Sequence, residues 1–162
     1  MTAFVVRALT EADWEFYRSV RLAALADSPE CFGSSVDRER AFPESVWRER
    51  LVRRNQFVAL RDGQAEGLAG VVPLDEGTAE LVSVWVRPQA RGHGYGDALV
   101  RAALDWAAEH GCRAVHLSVV AGNRPAERLF RRHGFRRQVP QPPGTSGEFR
   151  MVLRLTPADA PR

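Results

Sequence analysis

Lysine is absent. All 23 basic residues are arginine, so chemistry that needs a lysine amine is excluded, including Schiff bases and covalent attachment of pyridoxal phosphate. A phosphate loop of the G-x-x-x-x-G-K-[ST] kind is excluded as well. Cysteine is scarce. Cys31 and Cys112 lie 81 positions apart, which makes no disulfide framework and no C-x-x-C pair. Both are expected to be reduced, buried thiols in a cytoplasmic protein. The four histidines, His93, His110, His116 and His133, show no H-E-x-x-H or other ligand spacing, so no metal is expected. No apolar run approaches the roughly 20 residues that span a bilayer. Residues Met1 to Arg7 have no basic segment leading into a long apolar one. Neither a membrane span nor a secretion signal is expected.

Charge of one sign is also in short supply. The 23 basic and 20 acidic residues leave a net charge of +3, weak grounds for a nucleic-acid partner. With 162 residues, 44% of them hydrophobic and 27% charged, one globular domain is expected. It should cover residues 1–156, with a frayed tail at 157–162.

Phe4 to Leu9 reads as a strand. Thr10 then reads as a helix N-cap, with Asp13 placed to reach back, and an apolar stripe through Phe16, Tyr17 and Val20 runs toward Leu25. Ser28-Pro29 ends it. Residues 30–42 show no period and read as a loop. A second helix opens at Pro43 and passes Trp47 and Leu51. Strands follow at 57–60 and 68–72, joined by a turn at Asp62-Gly63. Glu76-Gly77 signals another turn before a strand at 79–86, rich in β-branched residues. A helix is expected from Asp97 to His110, closed by Gly111. A strand at 114–120 comes next, then a short helix from Asn123 to His133 closed by Gly134. A loop at 140–147 leads to a last strand at 149–155. Helices between strands imply a mixed sheet with helices on its faces. Trp85 and Trp106 read as core residues.

Two stretches carry chemistry. The strand ending at Val86 runs into Arg91-Gly92-His93-Gly94-Tyr95-Gly96 and then a long helix. Glycines let backbone N–H groups approach a ligand closely, and a helix N-terminus favours phosphate. Arg91 can add a charge-assisted contact. Together these read as a pyrophosphate cradle. A dinucleotide fold fits worse, because the third glycine of its fingerprint would fall at Asp97. The second stretch is Asn123-Arg-Pro-Ala-Glu-Arg-Leu-Phe-Arg-Arg-His-Gly-Phe135.

R-x-x-G-x-G at 91–96 followed by N-x-x-A-x-x-L-[FY]-x-x-x-G-F at 123–135 resembles the GNAT superfamily of acetyl-CoA-dependent N-acetyltransferases. These motifs cover roughly residues 80–135, and Arg7 to Asp13 adds a weaker likeness. The resemblance implies an α/β (α+β) fold: one mixed, mostly antiparallel sheet of about seven strands, splayed in the middle and flanked by about four helices. It implies that acetyl-CoA lies in the splay. The main chain of Val84, Trp85 and Val86 would meet the pantetheine arm. Arg91, Gly92, His93, Gly94, Tyr95 and Gly96 would hold the pyrophosphate, and Asn123 and Phe130 would flank the arm. Arg124, Arg128, Arg131 and Arg132 stand nearby in sequence and read either as phosphate contacts or as a solvated helix face. Acetyl would pass directly to a primary amine, without a covalent enzyme intermediate.

Where many members carry a tyrosine that protonates the leaving thiolate, this chain has Phe130, which has no hydroxyl. Ser118 is the candidate to replace it. Glu80 is the first candidate for the base. Strand alternation puts it on one face with Val82, Val84 and Val86, where burial would raise its pKa. Glu39 and His116 are further candidates. The resemblance implies that residues 26–45 and 139–148 set acceptor specificity. It leaves a homodimer open and calls for no nucleic acid or membrane. Two other readings stay open: a CoA-binding module with little transferase activity, from Phe130, and a basic nucleic-acid binder, from the arginines at 124–137 and a pI of about 9.5.

Overall fold

The computed structural model describes residues 3–75, 77–142 and 147–155. Glu76 of the expected turn, residues 143–146 of the 140–147 loop and the expected tail at 157–162 lie outside them. Seven strands form one sheet: β1 (Val5–Ala8), β2 (Gln56–Arg61), β3 (Gln64–Pro73), β4 (Thr78–Val86), β5 (Ala114–Val120), β6 (Arg136–Arg137) and β7 (Glu148–Arg154), in the order β1-β2-β3-β4-β5-β7-β6. Every pairing is antiparallel except β4–β5. The mixed, mostly antiparallel sheet expected from the sequence is therefore present, and it is splayed in the middle.

The helices are α1 (Trp14–Asp27), α2 (Val36–Arg40), α3 (Glu44–Glu49), α4 (Tyr95–Glu109) and α5 (Arg124–Arg132). Apolar residues alternate along β2 and sort onto the two sheet faces. Phe57 and Ala59 pack in a core with Leu99, Val100 and Ala103 of α4. Val58 packs in a second core with Tyr17, Val20 and Ala24 of α1 and Trp47 of α3. Trp85 and Trp106 are core residues, as expected. At the entry to α1 the Thr10 N–H donates to Asp13 at 2.8 Å, as the capping pattern requires. Asp13 also receives both Nη groups of Arg7, each at 3.0 Å, which ties β1 to the helix start.

The stretch at 30–42 is not a continuous loop. It contains α2, whose Ser35 hydroxyl caps the Arg38 N–H at 3.2 Å. The helix has 5 residues, too few to show a period. What secures it is tertiary. Glu39 is 1% exposed, and its carboxylate accepts from Arg21 Nε and Nη2 of α1, both at 3.0 Å, and from Arg50 Nη1 at 2.9 Å. Burial pushes the Glu39 pKa up, but the hydrogen bonds from Arg21, Arg50 and Ser34 outweigh it and hold the group at about 2. The third Arg21 nitrogen, Nη1, donates to the Ser83 hydroxyl of β4. One buried arginine thus joins two helices to the sheet.

A bulge changes the faces of β4. Leu68 pairs with Trp85 and Gly70 with Val82, so Ser83 and Val84 together oppose Ala69. Ser83 takes φ 60° to make the turn. Ala79 and Leu81 face the α4 core before the bulge, whereas Val84 and Val86 face it after. Glu80 and Val82 therefore do not share a face with Val84 and Val86, which corrects the simple alternation. The extra residue re-aims every side chain beyond it.

Removing one member of a buried ion pair typically costs about 3–5 kcal/mol. Glu39→Gln is expected to destabilise the fold on that scale in urea unfolding near neutral pH. The folded pKa lies below the ordinary carboxylate value, so the Glu39 contribution is complete above that value and drains away as pH falls toward about 2. The gap between wild type and Glu39→Gln should narrow over that window. A gap independent of pH would show that the carboxylate charge is not what secures α2.

Candidate active site

β4 and β5 are paired only at Thr78–Ala114, Ala79–Val115 and Glu80–His116. Beyond Glu80 the two strands separate. β4 continues to Val86, and β5 continues to Val120 along β7 instead. The wedge between them opens into two cavities, of about 730 Å³ toward α4 and about 580 Å³ toward α2. Val84, Val120, Asn123, Ala126, Phe130 and Cys31 line both, so the cavities meet at this wall.

The larger cavity carries the glycine cradle. Gly92 and Gly94 take φ 80° and 90°, which side chains resist. A Cβ at either would meet nothing within 4 Å, so the space over them is open. Gly94 is the N-cap of α4, which begins at Tyr95 rather than at Asp97. The helix thus presents the N–H groups of its first turn, without intrahelical acceptors, at the cavity. Gly96 serves a different purpose from its neighbours. A Cβ there would lie 3.3 Å from Leu129 of α5, so the glycine allows the two helices to close.

Side chains in the cradle divide by direction. Tyr95 is 2% exposed and its ring packs on Phe4, 4.5 Å between centroids, so only its main chain is available. The His93 ring turns back to the Arg91 carbonyl at 2.9 Å and lines neither cavity. Arg91 Nε donates to the Val86 carbonyl at 2.9 Å, and Nη2 to Asp27 at 3.1 Å. Asp27 also accepts the Trp85 indole N–H at 2.9 Å. Its pKa is lowered by the bonds from Trp85 and Ser28, and then by Arg91. The sequence reading missed Asp27. It is the last residue of α1, remote in sequence from both partners, and no local pattern marks it. Of the four arginines of α5, Arg132 reaches the wall of this cavity, paired with Asp97 at 3.2 Å. Arg131 pairs with Glu127 at 2.8 Å.

The smaller cavity holds the candidates for proton transfer. Glu80, at the last β4–β5 pair, and the exposed Ser118 both line it. His116 sits beside Glu80 in the register but lines neither cavity. Its Nδ1 is buried with no hydrogen-bond partner. Burial, with help from Arg150, lowers its pKa against the opposing pull of Glu80. Glu39 has its oxygens bonded to two arginines, which hold its pKa at about 2, too low for it to take a proton as a base. Phe130 is 7% exposed, packed edge-on to Phe135, and stands where the cavities join. Asn123 caps α5, its Oδ1 accepting the Ala126 N–H at 3.3 Å. The cysteines depart from expectation: Cys31 is exposed at the cavity junction and Cys112 is half-buried. Among the described residues no group of three or more His, Cys, Asp or Glu could hold a metal ion, and no helix is long and apolar enough to cross a membrane.

Comparison with known proteins supplies the context for this arrangement. Among curated proteins, a mycothiol acetyltransferase of Thermomonospora curvata is 33% identical over 114 residues, 70% of this chain and 37% of that one. A putative [ribosomal protein bS18]-alanine N-acetyltransferase of Bacillus subtilis is 29% identical over 79 residues, 48% of this chain and 51% of that one. The first curated relatives are matched over only 51%, 24% and 21% of their own lengths. Among solved structures, a GCN5-related N-acetyltransferase from Kribbella flavida superimposes with a TM-score of 0.72 at 26% identity, over 94% of this chain and 98% of that one. A putative acetyltransferase of Salmonella typhimurium with its cofactor acetyl-CoA gives 0.74 at 21% identity, over 99% of both chains. The family model described as acetyltransferase (GNAT) family matches residues 8–135, and the chain belongs to that family.

Proposed function

We propose that this protein moves an acetyl group from acetyl-CoA directly to a primary amine of a small molecule, peptide or protein, in a ternary complex. The observation that carries the reading is the β4–β5 wedge, with a glycine cradle on a helix N-terminus at one end and Glu80 at the other. First-turn N–H groups and the partial positive charge of α4 suit a diphosphate. In this reading Gly92, Gly94 and the main chain of His93, Tyr95 and Gly96 hold the pyrophosphate. Arg91 leaves Asp27 to add its charge. The unpaired edge of Val84, Trp85 and Val86 meets the pantetheine arm, and Asn123 and Phe130 close its other side.

The chemistry needs few protein groups. The amine nitrogen attacks the thioester carbonyl carbon, a C–N bond forms, the C–S bond breaks, and the thiolate leaves with the electron pair. Glu80 takes the proton that the incoming ammonium must lose. The second proton that the nitrogen loses as the amide forms passes through Ser118 to the thiolate, a task Phe130 cannot perform. The wedge holds both reactants in line, which supplies much of any rate gain. The relatives' names point to different acceptors, one a ribosomal protein alanine and the other the mycothiol system, and do not choose between them.

A second reading, a CoA-binding module with little transferase activity, is favoured by one observation: the residue at the cavity junction is Phe130, without a hydroxyl.

Calorimetry should find about one acetyl-CoA per chain with a dissociation constant on the order of 1 μM. Gly94→Trp fills the open space of the cradle and should weaken binding at least about tenfold, with thermal unfolding as the control for folding. Unchanged affinity in a folded variant would remove the cradle from the cofactor site. Glu80→Gln should lower kcat by about 10²-fold or more while acetyl-CoA affinity stays the same. A kcat within twofold of wild type, counting about 2 as no effect on this scale, would transfer the base role elsewhere. Phe130→Tyr should raise thiol release if the missing hydroxyl limits the rate. No gain would remove that explanation for low activity.

A further inference from the structure

The walls of the smaller cavity carry opposite charge. On the side of α1 to α3, Arg21, Arg38 and Arg50 line it, with Glu39 as the carboxylate among them. Glu39 is consumed: it accepts from Arg21 twice and from Arg50 once, and is 1% exposed. Arg21 is consumed as well, its third nitrogen being bonded to Ser83. Arg50 is not. It gives Nη1 to Glu39, lies over the rings of Phe42 and Trp47 at 5.2 Å each, and remains 29% exposed. Arg38 has no acidic partner for its guanidinium among the described residues. Among the described residues its guanidinium makes no hydrogen bond, and its backbone N–H donates to Ser35. Three arginines against one carboxylate leave this wall with two positive charges in excess.

The opposite wall holds Glu80 at the β4–β5 fork, with no arginine paired to it among the described residues, and Glu148 at the start of β7. His116, the neighbour of Glu80, is biased toward the neutral form. An acceptor whose amine reaches Glu80 therefore faces a cationic wall with the rest of its body. A simple alkylamine leaves that wall uncompensated, and a polyamine fits only where its further charges turn from the wall toward Glu148. An acceptor that carries its own anion satisfies both walls. Guanidinium groups suit a planar carboxylate in particular, since the two can form parallel hydrogen bonds. A cavity of about 580 Å³ suits a small molecule.

We propose that the acceptor is a small amino carboxylate, bound with its ammonium against Glu80 and its carboxylate on Arg38 and Arg50. This rests on the transferase reading and deepens it. Arg38 and Arg50 become specificity residues for the acceptor. The carboxylate is either that of a free amino acid or that of a short peptide's terminus.

The test uses the full chain at saturating acetyl-CoA, following thioester loss by absorbance. The acceptors are the standard amino acids, their primary amides, their decarboxylated amines, and glycine dipeptides. Amino acids or dipeptides should exceed the matching amides by about tenfold or more in kcat/KM, the scale of one charge-assisted contact. Arg38→Met should collapse that ratio, mainly through KM, and Arg38→Lys should restore part of it. Free amino acids outrunning dipeptides would fix the source of the carboxylate. Amides or plain amines reacting as well as the acids, or a ratio unchanged in Arg38→Met, would overturn the proposal while leaving the transferase reading intact. If no acceptor turns over, calorimetry of the same acceptors into the CoA-loaded chain decides: binding of acids over amides supports the proposal, and equal or absent binding overturns it. Failure of acetyl-CoA itself to bind overturns the transferase reading, and the proposal with it.

Discussion

Three residue pairs hold β4 to β5, and the site depends on there being no fourth. Parallel strands left in register would close the sheet and fill its centre with side chains. Here the pairing stops at Glu80 and His116, and the bulge at Ser83–Val84 turns the rest of β4 to a new facing. The main chain of β4 past Glu80 is left without a strand on that side. Unpaired backbone inside a protein is costly unless water or a ligand satisfies it. The open wedge is therefore the feature around which the cradle, Phe130 and the charged wall are arranged.

The roof of the smaller cavity depends on a different interaction. Arg21 joins Glu39 of α2 to Ser83 of β4, so it spans the distance from α2 to the bulge itself. A buried arginine and carboxylate seldom raise stability above that of an apolar pair. Their value here is placement: α2 is too short to hold itself in position, and the bidentate bond fixes where Arg38 stands. At the other end, Asp27 gathers Trp85 and Arg91, linking the end of α1 to the glycine cradle. α1 is thus tied to β4 at two charged side chains, Arg21 and Asp27.

Much of the fold was legible because it is written locally. The Thr10–Asp13 cap, the strand at 114–120 and the glycine-to-helix junction each depend on residues a few positions apart. The candidate site was legible where a motif is contiguous, as at Arg91 to Gly96 and Asn123 to Phe135. It was less legible in detail. The same run of glycines serves two purposes, backbone conformation at Gly92 and Gly94 and helix packing at Gly96, and spacing alone does not separate them. The extra residue at Ser83–Val84 was invisible, since a bulge is defined by the partner strand and not by its own sequence.

Residue chemistry determined what this chain could not be: without lysine, Schiff-base chemistry on a lysine amine and a lysine-bearing phosphate loop were closed from the start. It also determined the order of elements and the paired motifs of its family. Tertiary structure decided which charges meet. Glu39 read as a base candidate in a loop, yet folding surrounds it with Arg21 and Arg50 and makes it a strut. Asp27 carried no signal at all until α1 brought it to Trp85 and Arg91. Periodicity and caps follow from the backbone within one or two turns. The partner of a charged side chain is chosen by packing across the whole sheet, and so could be read only from the folded chain.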